Sequence, residues 1–410
     1  MRLKKANFEA YLVGGCVRDL LLGREPKDFD VATNASPEQI KQIFRNCRII
    51  GRRFRLAHVF FGREIIEVAT FRGSDNDDDS GQHVVHEDGR LLRDNVFGTL
   101  EQDVWRRDFT VNALYYNIRD FSVVDYTGGM QDHANGVLRL IGDPAARYRE
   151  DPVRMLRAVR FAVKLGFTLH PDTERPITEL ADLLRGIPPA RLYDEILKLF
   201  LAGYGLQTYE MLQHYGLFGI LFPQTEHYLN LLEHDFPRLF LIRALDNSDK
   251  RFADGKSLTP YFLLAAILWE PLRETAKKHM ANGENEAIAY QNAANEILNK
   301  QLRVTAMPRH ITQAMRDVWF LQHKFTRTLG SRPYRLLEQP KFRAGYDFLV
   351  LRAETGGAEP ELAEWWRQFQ EADEEKRKIM TSPSEAGGGH SKRRRKSTRF
   401  RNKARPNGNE

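Results

Sequence analysis

The sequence predicts an α+β N-terminal region, a small mixed sheet with helices, followed by an all-α remainder. Three observations predict this division. Short runs of β-branched and aromatic residues separated by glycine turns crowd the first ~140 residues, as strands joined by tight connections do. Beyond Gly142-Asp143-Pro144 the apolar positions recur at helical spacing instead. The 410 residues are 42% hydrophobic, enough for more than one core.

Taken in order, Tyr11-Leu12-Val13 reads as an apolar run ended by Gly14-Gly15, with Cys16 to Leu22 as a helix start. Ser36-Pro37-Glu38-Gln39 has the form of a capping box with proline at the first helical position, and Ile40, Ile43 and Phe44 supply the apolar stripe behind it. Leu56 to Phe61 and Glu64 to Phe71 read as two strands joined at Gly62-Arg63. Ser74 to Arg90 is polar and acid-rich, the composition of a mobile loop. Val123-Val124 is strand-like before the turn Thr127-Gly128-Gly129, and Val137 to Ile141 reads as another short strand. Val153, Leu156, Val159 and Val163 then mark a helix that Gly166 stops. Helical patterns continue at Leu180 to Leu184, Arg191 to Ala202 and Thr208 to Tyr215, and near 258–269, 285–302, 309–325 and 343–370. Pro188-Pro189, Pro223 and Pro340 punctuate them, and no internal repeat is found. Ser382 to His390 reads as a flexible linker.

The net charge of +7 is concentrated at one end. Lys392, Arg393, Arg394, Arg395, Lys396, Arg399, Arg401, Lys403 and Arg405 face a single acid, Glu410, which leaves residues 1–391 close to neutral. Such a tail attracts a polyanion and releases its counterions without reading sequence. No run approaches the ~20 apolar residues of a membrane helix. The apolar stretch after Arg2, Lys4 and Lys5 is too short for a signal-peptide core. Cys16 and Cys47 form no CxxC pair, which argues against a thiolate metal site or a disulfide framework and suits a reducing cytoplasm.

Asp28 and Asp30 alternate around Phe29; in a strand both carboxylates would face one side and Phe29 the core. Adjacent carboxylates repel unless a cation lies between them, and Mg²⁺ suits hard oxygen ligands completed by substrate phosphates. Gly14-Gly15, ahead of a helix start, lets backbone N–H groups approach a triphosphate, with Arg18 about one turn inside to pair with its oxygens. His83, His86 and Asp88 lack the spacing of an organised metal site and read as solvated loop. Trp365-Trp366 read as helix-packing residues, and the isolated His234-Asp235 pair does not signal a phosphohydrolase.

Four ordered blocks carry a resemblance. They are Leu12-Val13-Gly14-Gly15-Cys16-Val17-Arg18-Asp19-Leu20-Leu21-Leu22-Gly23 with Lys27-Asp28-Phe29-Asp30, then Arg106-Arg107-Asp108-Phe109-Thr110-Val111-Asn112-Ala113, then Glu150-Asp151-Pro152-Val153-Arg154-Met155-Leu156-Arg157. Together they resemble the tRNA nucleotidyltransferase/poly(A) polymerase branch of the polymerase-beta-like superfamily. The resemblance implies a nucleotidyltransferase head over 1–142, a helical neck with nucleotide-selection elements over 143–203, a helical body with RNA-binding surfaces over 204–381, and a linker and disordered basic tail over 382–410. It implies two Mg²⁺ held by Asp28 and Asp30, with Gly14, Gly15, Arg18 and Arg107 binding the nucleotide. Asp151 and Arg154 would read the incoming base by accepting from and donating to its edge, with Arg157 on the triphosphate. For the third catalytic carboxylate it points to Asp108. Glu67, on a strand face with Ile65 and Ala69, is the rival.

Within the family, CCA-adding enzymes share all four blocks. The stretch from Leu91-Leu92-Arg93-Asp94-Asn95 through Phe97-Gly98 to Asp108, and the basic tail, resemble bacterial poly(A) polymerases. The expected activity is therefore template-independent addition of adenylate from ATP to RNA 3′ ends in RNA decay. The expected protein is a cytoplasmic monomer, with RNA-degradation proteins as partners. A non-catalytic RNA-binding protein on the same scaffold would have lost a metal carboxylate, yet both are present. The chain starts close to its first strand, where relatives often carry more residues upstream.

Overall fold

The computed structural model describes residues 1–51, 55–73, 84–85, 91–93, 97–231 and 236–382. Seven strands form one mixed sheet: β1 (Ala10–Val13), β2 (Asp30–Thr33), β3 (Cys47–Ile50), β4 (Leu56–Phe61), β5 (Glu64–Thr70), β6 (Tyr115–Asn117) and β7 (Ser122–Val124). Their order is β3-β4-β5-β2-β1-β6-β7. All pairings are antiparallel except β2 with β5, which run parallel and place Asp30 beside Glu67. The β4–β5 hairpin turns at Gly62, whose φ of 62° is a conformation glycine adopts without steric cost.

Helix α1 (Gly15–Leu21) follows β1, and α2 (Pro37–Ile43) starts from a complete capping box in which Ser36 and Gln39 exchange side-chain and backbone hydrogen bonds. A second such box, Thr99 with Gln102, opens α3 (Leu100–Trp105). The segment Val137 to Ile141 is strand only at Val137–Leu138, which pairs in parallel with Thr168–Leu169.

From Pro144 the described chain is essentially helical. Helix α4 (Pro144–Glu150) leads into α5 (Val153–Leu165), which Gly166 ends in a left-handed conformation, and later comes α6 (Pro189–Phe200). Arg309–Phe325 matches its expected bounds, whereas the pattern near 343–370 is two helices, Phe342–Glu354 and Pro360–Glu371. One large core joins Phe109, Val111, Leu138 and Leu140 to α5, α6 and the following helices. A separate cluster around Phe325, Phe342 and Trp366 closes the C-terminal helices, so Trp366 packs rather than stacking bases. No helix of the described residues is long and apolar enough to cross a membrane. Ser74 to Ser80, His83, His86 to Arg90, His234-Asp235 and the linker and tail from 383 lie outside the described residues.

Candidate active site

The double glycine sits where β1 ends. Gly14 has φ 77°, which lets the chain leave the strand and enter α1 at once. Two guanidinium groups flank the turn: a Cβ on Gly14 would lie 3.5 Å from Arg107 Nη1, and one on Gly15 would lie 3.6 Å from Arg18 Nη2. Arg18 is buried; its Nε and Nη2 donate to Asp19 at 2.8 and 2.6 Å, and its Nη1 donates to Asn112 Oδ1 at 2.5 Å.

The carboxylates lie next to this turn, with one departure from expectation. Pairing with β1 stops at Val13 opposite Asp30, because Gly14 turns the backbone away, so β2 starts at Asp30. Asp28 and Phe29 precede the strand, Asp28 is exposed, and Phe29 is 41% exposed rather than packed in the core. Asp30 is pushed up to about 6 by burial, then by the charges of Glu67 and Asp28, with Arg107 pulling the other way. Glu67 comes close because β2 and β5 are parallel neighbours; its Oε1 also meets His58 Nε2 at 3.1 Å. Among the described residues no three His, Cys, Asp or Glu side chains form a ready metal cage. A repelling carboxylate pair with Glu67 alongside is instead the open donor set that Mg²⁺ completes with phosphate and water. The residues therefore fit a divalent metal.

Asp108 is engaged elsewhere. Arg157 Nε donates to its Oδ2 at 2.8 Å and Arg157 Nη2 donates to the same atom, while Asn112 Nδ2 and the Phe109 N–H donate to Oδ1. Burial works against this carboxylate, but Arg157 and the donated hydrogen bonds outweigh it and hold its pKa below the ordinary value. Asn112 thus links Asp108 to Arg18, and the structure groups Asp108 with the arginines while placing Glu67 beside Asp30.

Helix α5 completes the basic wall. Arg18, Arg157 and Arg160 surround the ring of Phe161 at 5.3, 5.2 and 4.4 Å from its centroid. Sequence reasoning singles out neither Arg160 nor Lys164. Burial lowers the pKa of both, and a further extension of the three-residue spacing of Arg154 and Arg157 would have found Arg160. The two residues of the expected base-reading pair do not share a helix: Asp151 lies in extended backbone between α4 and α5, and Arg154 is in the first turn of α5. Asp151 Oδ2 accepts from Arg191 of α6 at 2.7 Å, and Arg154 Nη1 donates to Glu150 at 2.7 Å and to the Arg147 carbonyl at 2.8 Å. Arg191 too escapes sequence reasoning, since only the packing of α6 brings it there. The nine basic tail residues lie outside the described residues.

Known proteins resemble this chain over most of its length. Residues 10–139 match the model of the poly A polymerase head domain, 166–229 that of a probable RNA and SrmB-binding site of polymerase A, and 282–400 that of a polymerase A arginine-rich C-terminus. The chain is 53% identical over 383 residues to poly(A) polymerase I of Haemophilus influenzae, covering 92% of this chain and 85% of that one. Similarity to the CCA-adding enzyme of Lactobacillus helveticus is weaker, 38% over 210 residues, covering 51% of this chain and 50% of the relative. Among solved structures, the Bacillus stearothermophilus CCA-adding enzyme in complex with CTP aligns with a TM-score of 0.54 and 27% identity, over 90% of this chain and 80% of that one.

Proposed function

This chain belongs to the bacterial poly(A) polymerase family, and we propose that it joins adenylate from ATP to RNA 3′ ends at a metal site formed by Asp28 and Asp30, without a nucleic-acid template. It is an enzyme, an RNA adenylyltransferase. One observation carries the site assignment: Asp30, beside the Gly14-Gly15 turn, is paired across parallel strands with Glu67 and lies two residues from Asp28, and burial followed by these two charges pushes its carboxyl up to about 6. Two Mg²⁺ ions, when bound, would activate the RNA 3′-hydroxyl and stabilise the leaving pyrophosphate.

The chain's own residues supply position and charge. Asp28 and Asp30 would hold the metal, with Glu67 the better-placed third carboxylate. The Gly14-Gly15 backbone, Arg18 and Arg107 would receive the triphosphate, joined from α5 by Arg157 and Arg160. Asp108 would act beside the nucleotide through its bonds to Arg157 and Asn112. Asp151 and Arg154 would read the base edge: Arg191 holds Asp151 Oδ2, while Oδ1, which accepts from the Val153 N–H at 3.3 Å, has a second lone pair to offer the adenine amino group. Alignment and electrostatic preorganisation account for the rate, and no covalent enzyme intermediate is needed. The domain limits of 142, 203 and 381 remain our division of the chain, and the tail from Lys392 to Arg405 would gather RNA by charge.

The test supplies purified protein with a generic RNA and ATP, and separately with tRNA lacking its CCA end plus CTP and ATP. Long adenylate tracts on the generic RNA are expected. Incorporation of CTP followed by a single adenylate would overturn the reading.

A further inference from the structure

Arg107 is fixed by two side chains to which no role has so far been given. Its Nε donates to the Tyr115 hydroxyl at 2.7 Å and its Nη2 donates to Asp103 Oδ2 at 3.3 Å. The Tyr115 hydroxyl donates in turn to that same carboxylate oxygen, closing a three-membered ring of partners. The guanidinium also rests over the Tyr115 ring, 5.0 Å from its centroid.

Each partner is tied to a different element. Tyr115 is fully buried on β6, and the strand register sets it directly opposite Val13, the residue before Gly14. Asp103 belongs to α3, and its other oxygen accepts from the Arg72 backbone N–H at 3.2 Å, just past the end of β5. Burial opposes the Arg107 charge, but Tyr115 and Asp103 more than compensate, and burial raises the Tyr115 pKa so that its hydroxyl keeps a proton to donate. Nε and Nη2 are thereby committed to the scaffold, while Nη1 lies on the Gly14 side and the charge is felt by Asp30. If bulk were the only requirement, an apolar group of similar volume would fill this place without the desolvation cost of a cation. A cation held at a glycine turn beside a metal carboxylate has a geometric reason to be there.

We propose that Tyr115 and Asp103 are positioning residues for ATP binding, fixing the Arg107 guanidinium in the orientation in which it meets the phosphates. This rests on the reading of Arg107 as a nucleotide contact. A planar donor fork already aimed at its acceptor loses less freedom on binding than a mobile one, so affinity for the anion depends on the clamp as well as on the charge.

Full-length wild type, Tyr115→Phe, Asp103→Asn, Arg107→Gln and the double variant Tyr115→Phe/Arg107→Gln are compared with ATP varied at saturating RNA, and with RNA varied at saturating ATP. Tyr115→Phe keeps the ring and its packing, so it decides the matter even where Asp103→Asn fails to fold. Losing one hydrogen bond to a charged group corresponds to a KM for ATP raised roughly tenfold. The KM for RNA should stay unchanged. In the Arg107→Gln background the same substitution should change the KM for ATP by less than about twofold, because its effect passes through Arg107. The proposal fails if Arg107→Gln raises the KM for ATP while Tyr115→Phe does not, or if the two effects multiply in the double variant. An unchanged KM in Arg107→Gln itself would remove the nucleotide-contact reading and the proposal with it.

Discussion

Replacing Asp30 with asparagine should make the metal-free protein more stable at neutral pH and abolish its activity. In the folded protein the Asp30 carboxyl is pushed up to about 6 from an ordinary 3.8. The folded state therefore holds a proton that the unfolded chain has released between those values, so this group's stabilising contribution is present at low pH and lost as the pH rises through about 6. The full shift corresponds to roughly 3 kcal/mol, which partial exposure of the group reduces to about 1–2 kcal/mol. The substituted amide carries no charge at any pH, so the stability gap between variant and wild type should be small near pH ~4 and reach a plateau above pH ~7. At ~2–4 °C per kcal/mol, the plateau is about 2–8 °C in Tm. The assay is thermal unfolding in chelator across that pH range, repeated with excess Mg²⁺. The metal should raise the wild-type Tm, by an amount equivalent to about 2.7 kcal/mol at a hundred times its Kd, and leave the variant nearly unmoved. A gap that does not widen with pH, or equal stabilisation of both proteins by Mg²⁺, would refute the reasoning.

The remaining predictions concern neighbouring parts. Glu67→Gln should raise the Mg²⁺ concentration needed for half-maximal turnover at least ~10-fold, whereas Asp108→Asn should act mainly on the KM for ATP; the reverse pattern would return the third metal carboxylate to Asp108. Arg191→Ala frees an Asp151 oxygen and should narrow the preference for ATP over CTP by roughly 10-fold, read from paired kcat/KM values; an unchanged ratio would show that Arg191 has no part in base selection. Removing Lys392–Arg405 should weaken RNA binding and flatten its dependence on log salt by about 0.7 for each phosphate no longer neutralised; an unchanged slope would defeat the tail's role.

What could be read in the sequence was chiefly what short-range chemistry decides. Ser36 and Gln39 lie three residues apart, Gly62 needs one turn, and Arg309–Phe325 declares itself by its own apolar spacing. The helix Phe236–Ala253 escapes such a reading because Pro237 looks like a breaker and the segment after Asp246 is polar, although proline is tolerated in a helix's first turn. At the site, the motif residues and their chemistry were legible while their neighbours were not. Glu67 meets Asp30 across a parallel pairing, Asp151 finds Arg191 through helix packing, and Phe29 is exposed because Gly14 ends a pairing on another strand. Each of these depends on the meeting of segments far apart in the chain, to which local periodicity is blind.

The core that joins Phe109, Val111, Leu138 and Leu140 to α5 and α6 also has a bearing on how the enzyme comes apart. The segment bearing Asp108 and Asn112 and the helix bearing Arg154 and Arg157 bury their apolar faces in the same interior, so neither can open alone without exposing the other. The segments proposed for phosphate grip and base recognition should thus open as one cooperative unit. A chain cut after residue 142 would part Phe109, Val111, Leu138 and Leu140 from the helices that cover them, and in the uncut chain backbone amide protons on both sides of that point should exchange with solvent together rather than in sequence.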